Sequence, residues 1–220
     1  MTITDSPEWA AYAALHDGQT FRTLMRVAGS PDDVLLAAMV QLASSVDDWR
    51  VMQHTAMLFV ERGYTSEAFY FARRAVVASG GDPRARIVLA RVHETRRFLD
   101  ALNQELLDVH RRLRGVRDRT ARRALLADLA NAFVRLHCYL GRPSVARPWF
   151  RYVVETDTGT ISTFEQVLHA TLTSAEHADM RAIAAVALAS VTLPKGSRIQ
   201  ARVELAVRAI LIDMLRRRPA

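Results

Sequence analysis

Two stretches of this 220-residue chain share a spacing that packed helix pairs require. In the first, Gly63 ends an apolar helical pattern, Ala68 follows five residues later, and Ala72 and Ala75 stand nine and twelve residues on. In the second, Gly141 is followed at the same offsets by Ala146, Phe150 and Val153. Glycine is favoured where a helix stops in a left-handed residue. A small alanine then lets the next helix approach closely, where a larger side chain would hold the pair apart. A weaker copy centres on Ala101 and a weaker one still on Ala182, so successive copies are 33, 45 and 36 residues apart. Steps of this size predict stacked helix hairpins.

The punctuation of the rest agrees. Residues 7–28 read as two short helices broken at Asp17 and Gly18. Ser30, Pro31, Asp32 and Asp33 form a start signal, with a capping serine, proline at the first helical position and acids at the positive end of the dipole. Asp47 and Asp48 open a helix that ends at Gly63, and Thr65 opens one that stops at Gly80 and Gly81. Asp82 and Pro83 start another, to about Arg96, and 98–114 follows until Gly115. Further helices are expected at 121–140, at 143–156, after the capping box of Ser162 and Glu165, at 178–193 and at 198–217. Sustained alternation is missing, so no strand is predicted. Nine glycines and seven prolines are too few for a turn-rich β-sandwich. The expectation is an all-α chain of about twelve helices.

At these residues the chain resembles the tetratricopeptide repeat family. Gly63, Ala68, Ala72, Ala75 and Gly80 sit at the consensus spacing, with Ala56 at the small position of helix A. Gly141, Ala146 and Phe150 match in a second repeat, for which Leu129-Ala-Asn-Ala-Phe133 looks like the opening of helix A. The resemblance implies a short right-handed α-solenoid of antiparallel hairpins over residues 48–193, capped by helices in 1–47 and 194–220. It departs from the family in three ways. Arg96 stands where glycine is usual, the closing proline is missing after 75 and 153, and the 45-residue step implies longer helices or an inserted arginine-rich turn. A generic all-α bundle is the alternative. The family's groove positions fall on Arg50, Gln53 and Met57, on Arg86 and His93, and on Asn131 and Arg135. Arginine and asparagine there would suit a carboxylate or an acidic peptide.

Charge is uneven. Residues 1–80 carry a net of −3 and residues 81–220 a net of +10, with 29 of the 30 basic side chains being arginine. GC-rich codons explain much of the arginine but not its clustering. Arg111, Arg112, Arg114, Arg117, Arg119, Arg122 and Arg123 stand within thirteen residues, with Asp118 the one acid among them. If Thr120 caps the next helix, Arg122 and Arg123 fall in its first turn, against the dipole, and an anion would relieve that. No aromatic interleaves with this run, so no stacking platform for single strands is visible there.

The sequence carries no recognisable catalytic or cofactor signature. Phosphate-cradling glycine motifs and a nucleophile elbow are missing. His93 and Glu94 begin a zinc-helix motif, but Arg97 occupies the second histidine position. Glu165 and His169 are a possible ligand pair without a third member. Cys138, the one cysteine, reads as a buried small hydrophobe, and neighbouring His137 points about 100° away from it on a helix. His16, His54, His110 and His177 lack sequence partners and are expected on surfaces; Trp9, Trp49 and Trp149 are expected in the core. The longest apolar run, residues 182–193, is too short to span a membrane, and the first residues predict no secretory leader. These features predict a cytoplasmic protein with neither enzyme activity nor cofactor nor metal. It is expected to bind a protein or peptide partner, including acidic ones, as adaptor, scaffold or chaperone. Self-association stays open. The competing reading is a nucleic-acid or polyanion binder that uses the arginine run, and a pI near 10.4 allows it.

Overall fold

The computed structural model describes residues 2–156 together with Thr158, Thr163 and Gln166. Among these residues the chain is all-helical, with nine α-helices, two 3-10 turns and no strand. The helices expected at 178–193 and 198–217, the capping box and the copy at Ala182 lie outside the described residues. The chain divides into two compact units, Met1–Gly115 and Val116–Ala220, and the division falls inside the arginine run.

The first unit holds α1 (Pro7–Leu15), α2 (Gly18–Ala28), α3 (Asp33–Ser45), α4 (Trp49–Glu61), α5 (Thr65–Ala78), α6 (Pro83–Thr95) and α7 (Leu99–Arg112). Aspartates set most of the starts. Asp17, Asp32, Asp48 and Asp82 each accept a backbone N–H of the following first turn at 2.8–2.9 Å. A carboxylate satisfies an orphan donor and also faces the positive end of the helix, so each such cap contributes about 1 kcal/mol. For α3 the cap is Asp32 rather than Ser30, and Pro31 therefore precedes the helix instead of starting it.

α4 pairs with α5 and α6 with α7, while α6 also packs on α4 and α5; α1 packs on α2, and α3 on α4. Tyr12, Phe21, Leu35, Met39, Met52, Phe59, Ala68, Phe71, Val88 and Val92 belong to one buried cluster that joins α1 to α6. Trp9 and Trp49 pack against it, half-buried, as the sequence predicts.

The two hairpins repeat closely. α4 and α6 each have 13 residues, α5 and α7 each have 14, and every element of the second pair starts 34 residues after its counterpart. Their turns share one hydrogen-bond pattern. Gly63 N–H donates to Val60 C=O and Tyr64 N–H to Phe59 C=O; 34 residues on, Arg97 N–H donates to Glu94 C=O and Phe98 N–H to His93 C=O. This is the Schellman arrangement, whose C′ residue must be left-handed. Gly63 has φ 79°, and Arg97 takes φ 59° in the same place. The glycine-like position of the middle copy is therefore Arg97, not Arg96. The same count corrects the register of that copy: Leu102, fully buried, is the equivalent of Ala68, and Ala101 beside it is half-buried.

The second unit holds α8 (Arg119–Tyr139) and α9 (Pro143–Glu155), packed against each other. The turn recurs, with Gly141 at φ 66° and Arg142 N–H donating to His137 C=O. Gly141 lies 44 residues after Arg97 because α8 has 21 residues where α4 and α6 have 13, and a 3-10 turn, Leu113–Gly115, precedes it. Both causes named for the long step thus operate. Asp118, not Thr120, caps α8, accepting from the N–H groups of Thr120 and Ala121. Leu129, Phe133, Leu136, Ala146 and Val153 are buried, and the Trp149 ring stacks on Phe133 with centroids 4.7 Å apart. No helix among the described residues is long and apolar enough to cross a membrane.

Candidate functional site

A stripe of α4 and α6 at the margin of the core is set by helical spacing, and Met57 within it still packs against the core cluster. Arg50 is exposed, and Gln53 and Met57 are half-buried. Thirty-four residues later stand Arg84, exposed, Ile87, half-buried, and Arg91, exposed. Arg50 leans on its own helix cap, Asp48, at 3.7 Å, and Arg84 repeats this with Asp82 at 3.3 Å. The Arg84 guanidinium also lies 5.7 Å from the centre of the Trp49 ring. Because α4 and α6 pack together, these residues occupy neighbouring helices.

Arg86 and His93 do not join that stripe. Their equivalents in α4 are Met52 and Phe59, both core residues. The Arg86 side chain is 15% exposed and donates to Glu105 of α7 at 2.7 Å, with Asp108 at 3.1 Å. His93 is buried with its Nδ1 unpartnered. Burial, and secondarily the charge of Arg96, holds its pKa below the ordinary imidazole value. The sequence places both on the outer stripe; the 34-residue equivalence puts them on the core face instead.

Asn131 and Arg135 keep the stripe register in α8, but the second unit engages them internally. Asn131 is 5% exposed. Its Nδ2 donates to Ala127 C=O at 2.9 Å and Thr158 C=O at 2.8 Å, while Thr163 Oγ1 donates to its Oδ1 at 3.0 Å. Arg135 is half-buried, and its Nη1 donates to Thr163 at 3.5 Å. The threonines lie far along the chain, so no local sequence signal announced this.

A second polar cluster joins α1, α2 and α4. His54 is 6% exposed, its ring stacked on Phe21 at 4.1 Å and its Nδ1 hydrogen-bonded with the Tyr12 hydroxyl at 3.0 Å. It was expected on a surface. Its place three residues after Val51 and four before Leu58 puts it on the core face instead. Burial pushes its pKa down to about 4, against the opposing pull of Asp48 and Asp17. His16, also expected to be unpartnered, lies 3.3 Å from Asp48. Burial raises the Tyr12 phenol, leaving it neutral at ordinary pH.

The turn between α6 and α7 gathers arginines on aromatic rings. The Arg96 guanidinium carbon lies 4.7 Å from the Phe69 centroid and 4.6 Å from that of Phe98, and Arg73 lies 5.6 Å from Phe69. Sequence spacing hides this cluster, because Phe69 and Phe98 belong to different hairpins.

The arginines of the run are all exposed, and the first two also make contacts. Arg111 pairs with Asp108, and Arg112 Nη1 reaches Gly80 C=O at 3.5 Å. Arg114, Arg117, Arg119, Arg122 and Arg123 are exposed. Arg119 is the first residue of α8, with Arg122 and Arg123 following at the positive end of its dipole.

Among the described residues no three of His, Cys, Asp and Glu gather into a group able to hold a metal ion. Glu165, His169 and His177 lie outside them. Burial raises the Cys138 thiol to about 11, so it stays protonated and a poor nucleophile at neutral pH. His137 stacks on Phe133, and its pKa is lowered by burial and then by Arg142. No protein-family model matches this chain, and no curated protein or solved structure matches it either.

Proposed function

We propose that this chain is a non-catalytic protein-interaction module, an adaptor or scaffold, whose hairpins stack as a short right-handed solenoid similar to tetratricopeptide repeats. The observation that supports it is the 34-residue recurrence of helix lengths, turn geometry and outward positions in α4–α5 and α6–α7. A solenoid of this kind presents the repeated outer positions of its first helices as one continuous binding surface. Here those positions are Arg50, Gln53, Met57, Arg84, Ile87 and Arg91: a mixture of guanidinium donors and half-buried apolar groups. Guanidiniums give directional contacts to carboxylates, and the apolar centres give desolvation. Asn131 and Arg135 serve in this reading as internal ties of the second unit. The test is capture of partners from the native host by wild-type chain and by an Arg50→Glu, Arg91→Glu variant with unchanged circular dichroism. A partner retained by the wild type and lost by the variant supports the reading; a partner held equally by both refutes it.

The competing reading, a nucleic-acid or polyanion binder, draws on the five exposed arginines from Arg114 to Arg123. Binding of that kind weakens steeply with salt, since each neutralised phosphate releases counterions. Replacing Arg117, Arg119, Arg122 and Arg123 by serine would abolish it and leave the stripe intact.

A further inference from the structure

The turn at Arg96–Phe98 differs from its counterparts in a way that folding alone disfavours. Where Gly63 and Gly141 fill the left-handed position, Arg97 does so at φ 59°. Next to it Phe98 is 49% exposed, Arg97 and Arg73 are exposed, and Phe69 beneath them is half-buried. Phe69 carries two guanidiniums, those of Arg73 and Arg96, and Phe98 shares Arg96 with it. Neither Arg73 nor Arg96 has a carboxylate within ion-pair distance among the described residues. Ring contact uses the face of a guanidinium and leaves its N–H donors, which lie in the plane, able to bind a planar oxyanion in bidentate fashion.

We propose that Arg73 and Arg96, set on Phe69 and Phe98, dock an acidic segment of a partner protein, its carboxylates accepting the in-plane N–H donors. Charge complementarity selects an acidic partner. The ring faces decide between a peptide and a single-stranded nucleic acid: the rings hold arginines, whereas base stacking needs open faces. The site uses none of the stripe residues, so either site stands or fails without the other.

The test is fluorescence anisotropy of a labelled glutamate–glycine peptide with the full chain, beside a single-stranded oligonucleotide of equal charge. Arg96→Gln is expected to weaken peptide binding at least about tenfold. Arg96→Lys should do nearly as much, because a lysine keeps the charge and loses the planar fork. Arg73→Gln, at an exposed side chain, should weaken binding several-fold with an unchanged melting temperature, which separates the site from folding. Arg114→Gln with Arg117→Gln should leave binding unchanged. The proposal is overturned by wild-type chain that does not bind the peptide, by unaltered binding in Arg96→Gln, by an equal loss in the Arg114/Arg117 variant, or by tighter binding of the oligonucleotide through the same arginines.

Discussion

The hairpins α4–α5 and α6–α7 have one backbone plan and two different interiors. In α4–α5 the facing positions Met52 and Phe71 are buried and apolar. Their counterparts in α6–α7 are Arg86 and Glu105, 15% and 17% exposed and joined at 2.7 Å, with Asp108 completing the cluster. Ala68 corresponds to Leu102, His54 to Val88 and Gly63 to Arg97. The helix lengths and the turn survive every one of these exchanges. Backbone hydrogen bonding and the caps Asp48 and Asp82 thus define the hairpin, and the interior is free to be apolar or ionic provided that each buried charge is paired.

The largest contrast is expected at the close-approach position. Leu102→Ala should destabilise by about 2–5 kcal/mol, since it leaves a cavity in a filled site. Ala68→Leu should destabilise by about 1–3 kcal/mol for the opposite reason, overpacking, and Ala146→Leu in the second unit likewise. Thermal denaturation checks all three; an unchanged midpoint for Leu102→Ala would break the equivalence of the two hairpins.

His54, where the second hairpin has Val88, makes the first hairpin acid-sensitive, and the lowered pKa of His93 acts in the same direction in the second. Unfolded, His54 takes a proton near 6.5; folded, it does so only near 4. The unfolded state therefore binds more protons between these values, and stability falls as pH drops through that window, by up to about 3 kcal/mol. Asp48, Asp17, Arg50 and Arg22 are the charges that act on the ring. Urea titrations at pH 7 and pH 4.5 should show the loss in wild type and a much smaller one in His54→Val.

The ionic interior is testable by transplant. Arg86→Ala strands Glu105 and should destabilise by about 2–3 kcal/mol. The double change Arg86→Met with Glu105→Phe, which copies α4–α5, should return stability to within about 1 kcal/mol of wild type. A double variant no better than Arg86→Ala would show that the interiors are not interchangeable. The smallest effect belongs to the turn: Arg97→Gly should stabilise by about 0.5–1 kcal/mol by relieving the left-handed arginine. A lower melting point would mean that contacts of the Arg97 side chain outweigh its strain.

The same contrast explains what could be read from sequence. The first hairpin was legible because Asp48, Gly63, Ala68 and Gly80 carry its backbone requirements openly. The third turn was legible through Gly141 and Ala146. The middle hairpin was blurred because Arg97 conceals a glycine position and Leu102 an alanine one. A copy centred on Ala101 sets the register one residue short, which puts Arg86 at the place of Ile87; His93 has no such cause, since it corresponds to Phe59 on the core face. His54 carried a signal in its spacing from Val51 and Leu58. Asn131 carried none, since Thr158 and Thr163 reach it from beyond α9. The Phe69–Arg96–Phe98 cluster is likewise a product of tertiary packing.

The binding surface proposed for this chain is the repeated outer stripe of α4 and α6. Hydrogen exchange of the full chain, alone and in complex with a partner captured from the native host, tests it most directly. Protection gained on binding should fall on residues 50–57 and 84–91. Protection confined to residues 111–123, or lost when nucleic acid is digested, would contradict it.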